Sequence, residues 1–210
     1  MKIMIHTCPE RLWYVEEFLV PSLIEQGIDD IKVWNDEKRV GNLASCLASF
    51  ASCSGGETWH MQDDVVICRD FSKRIAEAPA GVVCGFCVER YEGRIVTGVT
   101  VPEYMWQSSF PCIKIPDEIA VEFTQWVDKN RDRLHSYIRT GKKDDTLFFN
   151  FMKEVHAGAD VYNAKPHLVE HIDWLIGGSI INGWRDFIPR GMFWEDESVI
   201  EELREKLTGR

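Results

Sequence analysis

The 210-residue chain has no basic run, no long apolar stretch, no internal repeat and no low-complexity segment. Each absence removes a class of protein. Binding along a nucleic-acid backbone needs clustered Lys and Arg, and 24 basic residues against 34 acidic ones, a formal charge of -10, argue against it. The same charge is compatible with a nucleotide whose phosphates are screened by a metal. A bilayer-spanning helix needs about 20 apolar residues, which no segment supplies, so no transmembrane segment is expected. The start, residues 1–6, is too short and too strand-like for a signal peptide. Seven cysteines, odd in number and irregular in spacing, read as reduced thiols of a cytoplasmic protein. Cys84-Gly-Phe-Cys87 has redox spacing but lies in a strand-like run, residues 81–88, rather than at a helix start where a thiolate is stabilised. Buried strand cysteines are the better reading.

Apolar residues make up 45% and charged residues 28%, ordinary for a globular chain whose length fits one domain over 1–210. Residues 2–6 read as a strand ending in Thr7-Cys8-Pro9-Glu10. Residues 12–26 carry apolar side chains at near-helical spacing (Leu12, Val15, Leu19, Leu23), with Pro21 as a kink or restart and Gly27 as the stop. A second strand at 31–34 runs into Asn35-Asp36. A small-residue helix over 41–52 follows, then Ser54-Gly55-Gly56, then a third strand through Trp59. Further on, helices are expected over 71–78, 116–134, 144–155 and 195–207, with strands at 81–88 and 94–101. This divides the chain into a strand-helix half (1–70), a second half (71–194) and a charged C-terminal helix (195–210).

The order strand-helix-strand-helix-strand predicts an α/β protein, three-layer α/β/α with a mostly parallel central sheet. Loops leaving parallel strands emerge on one edge, so Thr7, Asp36 and the pair Asp63-Asp64 should converge on one crevice. Two adjacent acids are costly if buried alone. They form either a surface turn or a site for a hard divalent cation, Mg²⁺ or Mn²⁺, which prefers oxygen ligands.

Taken with Pro166-His-Leu-Val-Glu-His171, these residues resemble a small glycosyltransferase of the GT-A fold, the class that uses nucleotide-diphosphate sugars. That family ends a central strand with an acidic motif, D-x-D or E-D-D, which holds a metal on the donor pyrophosphate. Gln62-Asp63-Asp64 resembles it, with Gln62 in place of the usual first acid. The resemblance implies that Asp64 ligates the metal, that Asp63 contacts the donor ribose or the metal shell, and that His171 completes the metal site. A lone His can equally be structural, and His167 reads as a surface residue of the same loop. Thr7 and Asp36 resemble the positions that touch base and ribose. Arg39-Val-Gly-Asn42 resembles the donor-contacting loop, in which Arg39 can pair with phosphate and Asn42 can donate at a helix start. A solvated charge and a simple cap are the alternatives for those two.

Asp144-Asp145 opens the helix over 144–155. Inverting members of the fold place their general base at such a helix start, which implies Asp145, with Asp144 as the alternative. The other possibility for either acid is a cap favoured by the helix dipole. Residues 105–110 and 184–194 are aromatic loops suited to stacking a carbohydrate acceptor. The resemblance thus implies a metal-dependent, hexosyltransferase-type enzyme with a UDP- or GDP-type donor and a hydroxyl acceptor. Two rivals remain. A nucleotidyltransferase also uses paired acids and a metal, although Thr7-Cys-Pro-Glu-Arg11 is a poor version of its glycine-rich loop. A binding module of the same fold that has lost its chemistry is the other.

Overall fold

A computed structural model of the chain describes residues 1–81, 83–85, 99–101, 111–140, 144–159, 161–163, 168–177 and 198–208. Strand β1 (Lys2–Thr7) alternates as an extended chain must, sending Ile3 and Ile5 to one side and Met4 and His6 to the other. Helices α1 (Leu12–Tyr14) and α2 (Val20–Glu25) are joined by a π-helical turn, Val15–Leu19. Pro21 stands in the first turn of α2, directly after the widened π-helical turn; helical geometry runs on through Leu19 and Val20, so the chain takes up a residue that cannot donate an N–H without breaking the helix. Strand β2 (Ile31–Asn35), helix α3 (Asn42–Ala51) and strand β3 (Glu57–Gln62) complete the first half. The elements that follow are β4 (Val65–Ile67), α4 (Phe71–Ile75), β5 (Val83–Gly85), β6 (Val99–Val101) and β7 (Cys112–Pro116). After them come α5 (Asp117–Lys129), α6 (His135–Thr140), α7 (Asp144–Val155), β8 (Val161–Asn163), β9 (Val169–His171) and α8 (Ser198–Thr208).

Among the described residues seven strands form one sheet in the order β2-β1-β3-β7-β5-β8-β6, and β4 pairs with β9 in a second. Within the large sheet β2, β1 and β3 pair in parallel, as do β5 and β8. Strands β7 and β6 run against their neighbours, so the central sheet is mostly parallel by strand direction. Ile3, Ile5, Trp59 and Met61 join α1, α2, α4 and α8 in one apolar cluster. Ile113, Ile115, Val83 and Val161 join α3, α5 and α7 in the other. The sheet therefore lies between two helical layers. Phe123, Phe148 and Phe151 knit the second cluster, with ring centroids 5.3–6.0 Å apart.

Some expectations from the sequence change. Pro116 is not the first residue of a long helix. It ends the fully buried strand β7 and serves as the N-cap residue of α5. That helix stops at Lys129, because Asn130 leaves helical geometry and its side-chain amide donates to the Trp126 carbonyl at 2.8 Å. Strands β7, β8 and β9 and helix α6 have no counterpart in the sequence reading; short buried strands carry no period to detect. The aromatic loops at 105–110 and 184–194, with Pro166, His167, Cys87 and residues 178–180, lie outside the described residues. Among the described residues no helix is long and apolar enough to cross a membrane.

Candidate active site

The three strand ends do converge. Thr7, the last residue of β1, pairs with Asn35 at the end of β2, and the Asp36 amide donates to the Thr7 carbonyl at 2.9 Å. The Thr7 hydroxyl donates to Asp63 Oδ2 at 2.9 Å, which ties the end of β1 to the bend after β3. That bend explains why the apolar run around the acid pair is interrupted. Strand β3 stops at Gln62, the chain turns through Asp63 and Asp64, and Val65–Ile67 restarts in a different sheet against β9. The Ile172 amide donates to the Asp64 carbonyl at 2.8 Å, and the Tyr14 hydroxyl donates to the Val65 carbonyl at 2.9 Å. The acids are thus fixed from three directions. They are not a surface turn: Asp63 and Asp64 are each only 8% exposed.

Their partners divide the pair. Asp63 is held by the Thr7 hydroxyl and by Arg11, whose Nη1 donates to Asp63 Oδ1 at 3.1 Å. The same Arg11 Nη1 donates to Asp64 Oδ2. The other Asp64 oxygen, Oδ1, lies 3.0 Å from His171 Nε2. Burial raises the Asp63 carboxyl and Asp64 raises it further, against the pull of Arg11 and Thr7. Burial also works to raise Asp64, but His171 and then Arg11 outweigh it and hold Asp64 ionised, well below the usual carboxylate range. Of the two acids, Asp64 carries the charge more firmly.

Asp173 completes the cluster. His171 is the last residue of β9, and Asp173 opens the turn that follows it, two residues on. Ligand atoms of Asp64, His171 and Asp173 all lie within 4.8 Å of one another. Asp173 is 1% exposed; its Oδ1 accepts from the Trp174 amide at 2.8 Å, whereas Oδ2 has no hydrogen-bond partner among the described residues. A buried carboxylate oxygen without a donor is costly. Two carboxylates and an imidazole around it form a donor set that fits a divalent cation such as Mn²⁺.

The remaining site candidates sit nearby with different duties. Strand alternation puts Gln62 on the side of His60, which packs on Phe50 of α3, whereas Asp63, in the bend beyond the strand, meets Arg11. Asp36 organises the loop before α3: its two oxygens accept from the Val40 and Gly41 amides at 3.0 and 3.1 Å. Arg39 has a left-handed backbone (φ 48°) and an exposed side chain paired with Glu10 at 2.8 Å. Asn42 is the first residue of α3 and does not act as its cap, a position taken by Gly41 (φ 96°). Its side-chain amide instead donates to Asp144 Oδ1 at 2.6 Å.

The two acids at the start of α7 are unequal. Asp145 is half-buried, and its Oδ1 accepts from the Thr146 amide and hydroxyl. Asp144 is buried; desolvation first and Asp145 second push its carboxyl up to about 7. An acid balanced near neutrality can take or give a proton.

Arg11 and Asp173 are the two residues that the sequence reading did not single out for the site. Their signals were present as an Arg four residues beyond the end of β1 and as a His-x-Asp spacing. Both signals are too common to weigh without the fold.

No family model matches the chain, and no curated protein matches it. Among solved structures it is similar to S. aureus TarS residues 1–349, at 14% identity and a TM-score of 0.52, over 84% of this chain and 62% of that one. It is also similar to LicC, the CTP:phosphocholine cytidylyltransferase of Streptococcus pneumoniae, at 12% identity and a TM-score of 0.47, over 99% of this chain and 100% of that one. The chain thus spans 62% of the length of the TarS structure. What the chain and TarS share at this identity is the fold: mixed α/β with a mostly parallel central sheet of the GT-A or Rossmann-like kind.

Proposed function

We propose that the chain is a metal-assisted transferase that moves a sugar from a nucleoside-diphosphate sugar, of UDP or GDP type, to a hydroxyl acceptor. The observation that carries this reading is the buried Asp64-His171-Asp173 cluster. It lies at the carboxyl edge of the parallel strands β1, β2 and β3, where open α/β sheets bind nucleotides. Asp64, His171 and Asp173 would hold Mn²⁺ or Mg²⁺, which supplies a Lewis acid for the charge that develops on a departing diphosphate. Thr7, Asp36, Asn42, Gln62 and Asp63 border the same edge, and Arg39 extends from the loop beside it toward solvent, where it can meet phosphate. At the start of α7, Asp144 is better suited than Asp145 to accept the acceptor proton, because burial holds it near neutrality. TarS, whose fold the chain shares, is a glycosyltransferase, which is compatible with this reading.

Calorimetric titration of UDP- and GDP-sugars with and without Mn²⁺ tests it. Binding that strengthens with Mn²⁺ and is lost in Asp64→Ala is the expected result. No nucleotide binding under either condition would end the proposal. Turnover of a nucleoside triphosphate in place of a nucleotide sugar would move the chain to nucleotidyl transfer. Binding without transfer across an acceptor panel would make it a binding module.

A further inference from the structure

Arg11 is the feature that a simple cation site does not need. It is 5% exposed, stands where the chain leaves β1 for α1, and touches both acids through a single nitrogen, Nη1. Asp64 is therefore shared between two partners: Oδ2 faces Arg11, while Oδ1 faces His171 and the Asp173 side. Asp63 has no place in the cation cluster; its oxygens are committed to Thr7 and Arg11. A guanidinium is charged at every working pH and does not leave by titration. With Asp63, Asp64 and Asp173 ionised and His171 neutral, as a metal ligand must be, these three carboxylates and the Arg11 guanidinium sum to a net charge of -2. One divalent cation cancels that charge.

We propose that Arg11 is a built-in countercharge that sets how tightly the Asp64-His171-Asp173 site binds a divalent cation. The inference rests on the cation-assisted reading above and adds to it that affinity follows the net charge of the cluster.

The test is a charge series read with Mn²⁺ alone, by calorimetry or by the electron paramagnetic resonance of free Mn²⁺, in the full chain. Asp63→Asn leaves the cluster at -1, the native protein and the double variant Arg11→Gln/Asp63→Asn both stand at -2, and Arg11→Gln stands at -3. Affinity should rise in that order, by roughly tenfold per step, the scale on which residues behind the ligands tune metal sites. The double variant should match the native protein. Arg11→Gln leaves two buried acids without their cation and can fail to fold. In that case Asp63→Asn and the double variant carry the test, with circular dichroism confirming both folds. Equal affinity in those two variants, weaker binding in folded Arg11→Gln than in the native protein, or no Mn²⁺ binding by the native protein would overturn the inference. Charge-ordered Mn²⁺ binding without any nucleotide binding would sink the proposed function and leave this inference standing. Nucleotide binding with charge-independent Mn²⁺ affinity would do the reverse.

Discussion

Asp144→Asn should make the protein more stable at neutral pH, and the gain should disappear on acidification. Asp144 is buried, and burial with Asp145 as neighbour raises its carboxyl from an ordinary value near 3.8 to about 7. Between those values the native state holds a proton that the unfolded chain has released. Stability therefore falls as pH rises through that window, by about 1.4 kcal/mol for each pH unit fully crossed. The whole window would give about 4 kcal/mol at pH 8. The 2.6 Å hydrogen bond from Asn42 favours the ionised form, and about 2 kcal/mol is the more reasonable figure. Asparagine keeps the oxygen that Asn42 bonds and removes the charge. For a chain of this length about 2 kcal/mol corresponds to a rise of roughly 4–8 °C in Tm. Thermal melts of both proteins from pH 4 to pH 8 read it directly. The gap should be widest at pH 8 and close to zero at pH 4. A gap that does not change with pH, or a variant less stable at pH 8, would refute the idea that this acid is held neutral at a cost to the fold. If Asp144 is also the base, the stabilised variant should be inactive, which is the trade expected where strain serves function.

A second pH effect has the opposite sign. His6, half-buried, meets the buried His60, with Nε2 of His6 3.0 Å from Nδ1 of His60, and burial lowers His6 to about 4 and His60 well below its ordinary value. Unfolded histidines take up protons below about pH 6.5 while the native ones do not, so stability should be lost as pH falls from 6.5 toward 4. Urea melts of His6→Gln should show a shallower acid slope than the native protein, and an unchanged slope would refute the assignment. Phe148→Ala should cost about 3–5 kcal/mol, because the ring is fully buried and packs on Phe50, Phe123, Phe149 and Phe151. A loss below about 1 kcal/mol in chemical denaturation would mean that this cluster is not the packed core it looks to be.

The first half was legible because its elements are long enough to carry a period. β1, β2, α3 and β3 stand within a residue or so of where spacing puts them, and helix α7 matches its expected range. The second half was harder to read. Strand β7 is buried along its whole length and β8 and β9 have three residues each, so neither alternation nor turn chemistry marks them. The same limit governs the site. Asp63 and Asp64 stood out as acids within an apolar run. Asp173 did not, because its importance comes from β9 pairing with β4, a contact between residues more than 100 positions apart.

Composition, charge and the order of strands and helices in the first 67 residues determined the α/β class, and with it the edge where Thr7, Asp36, Asp63 and Asp64 would meet. They did so because strand direction and side-chain alternation are local consequences of backbone geometry. Only the tertiary structure decided what each acid does there. It gave Asp63 to Thr7 and Arg11, turned Asp64 toward His171 and Asp173, and drew Asn42 onto Asp144. Those assignments depend on which oxygen is buried against which distant donor, and burial is a property of the packed chain that no spacing of residues encodes.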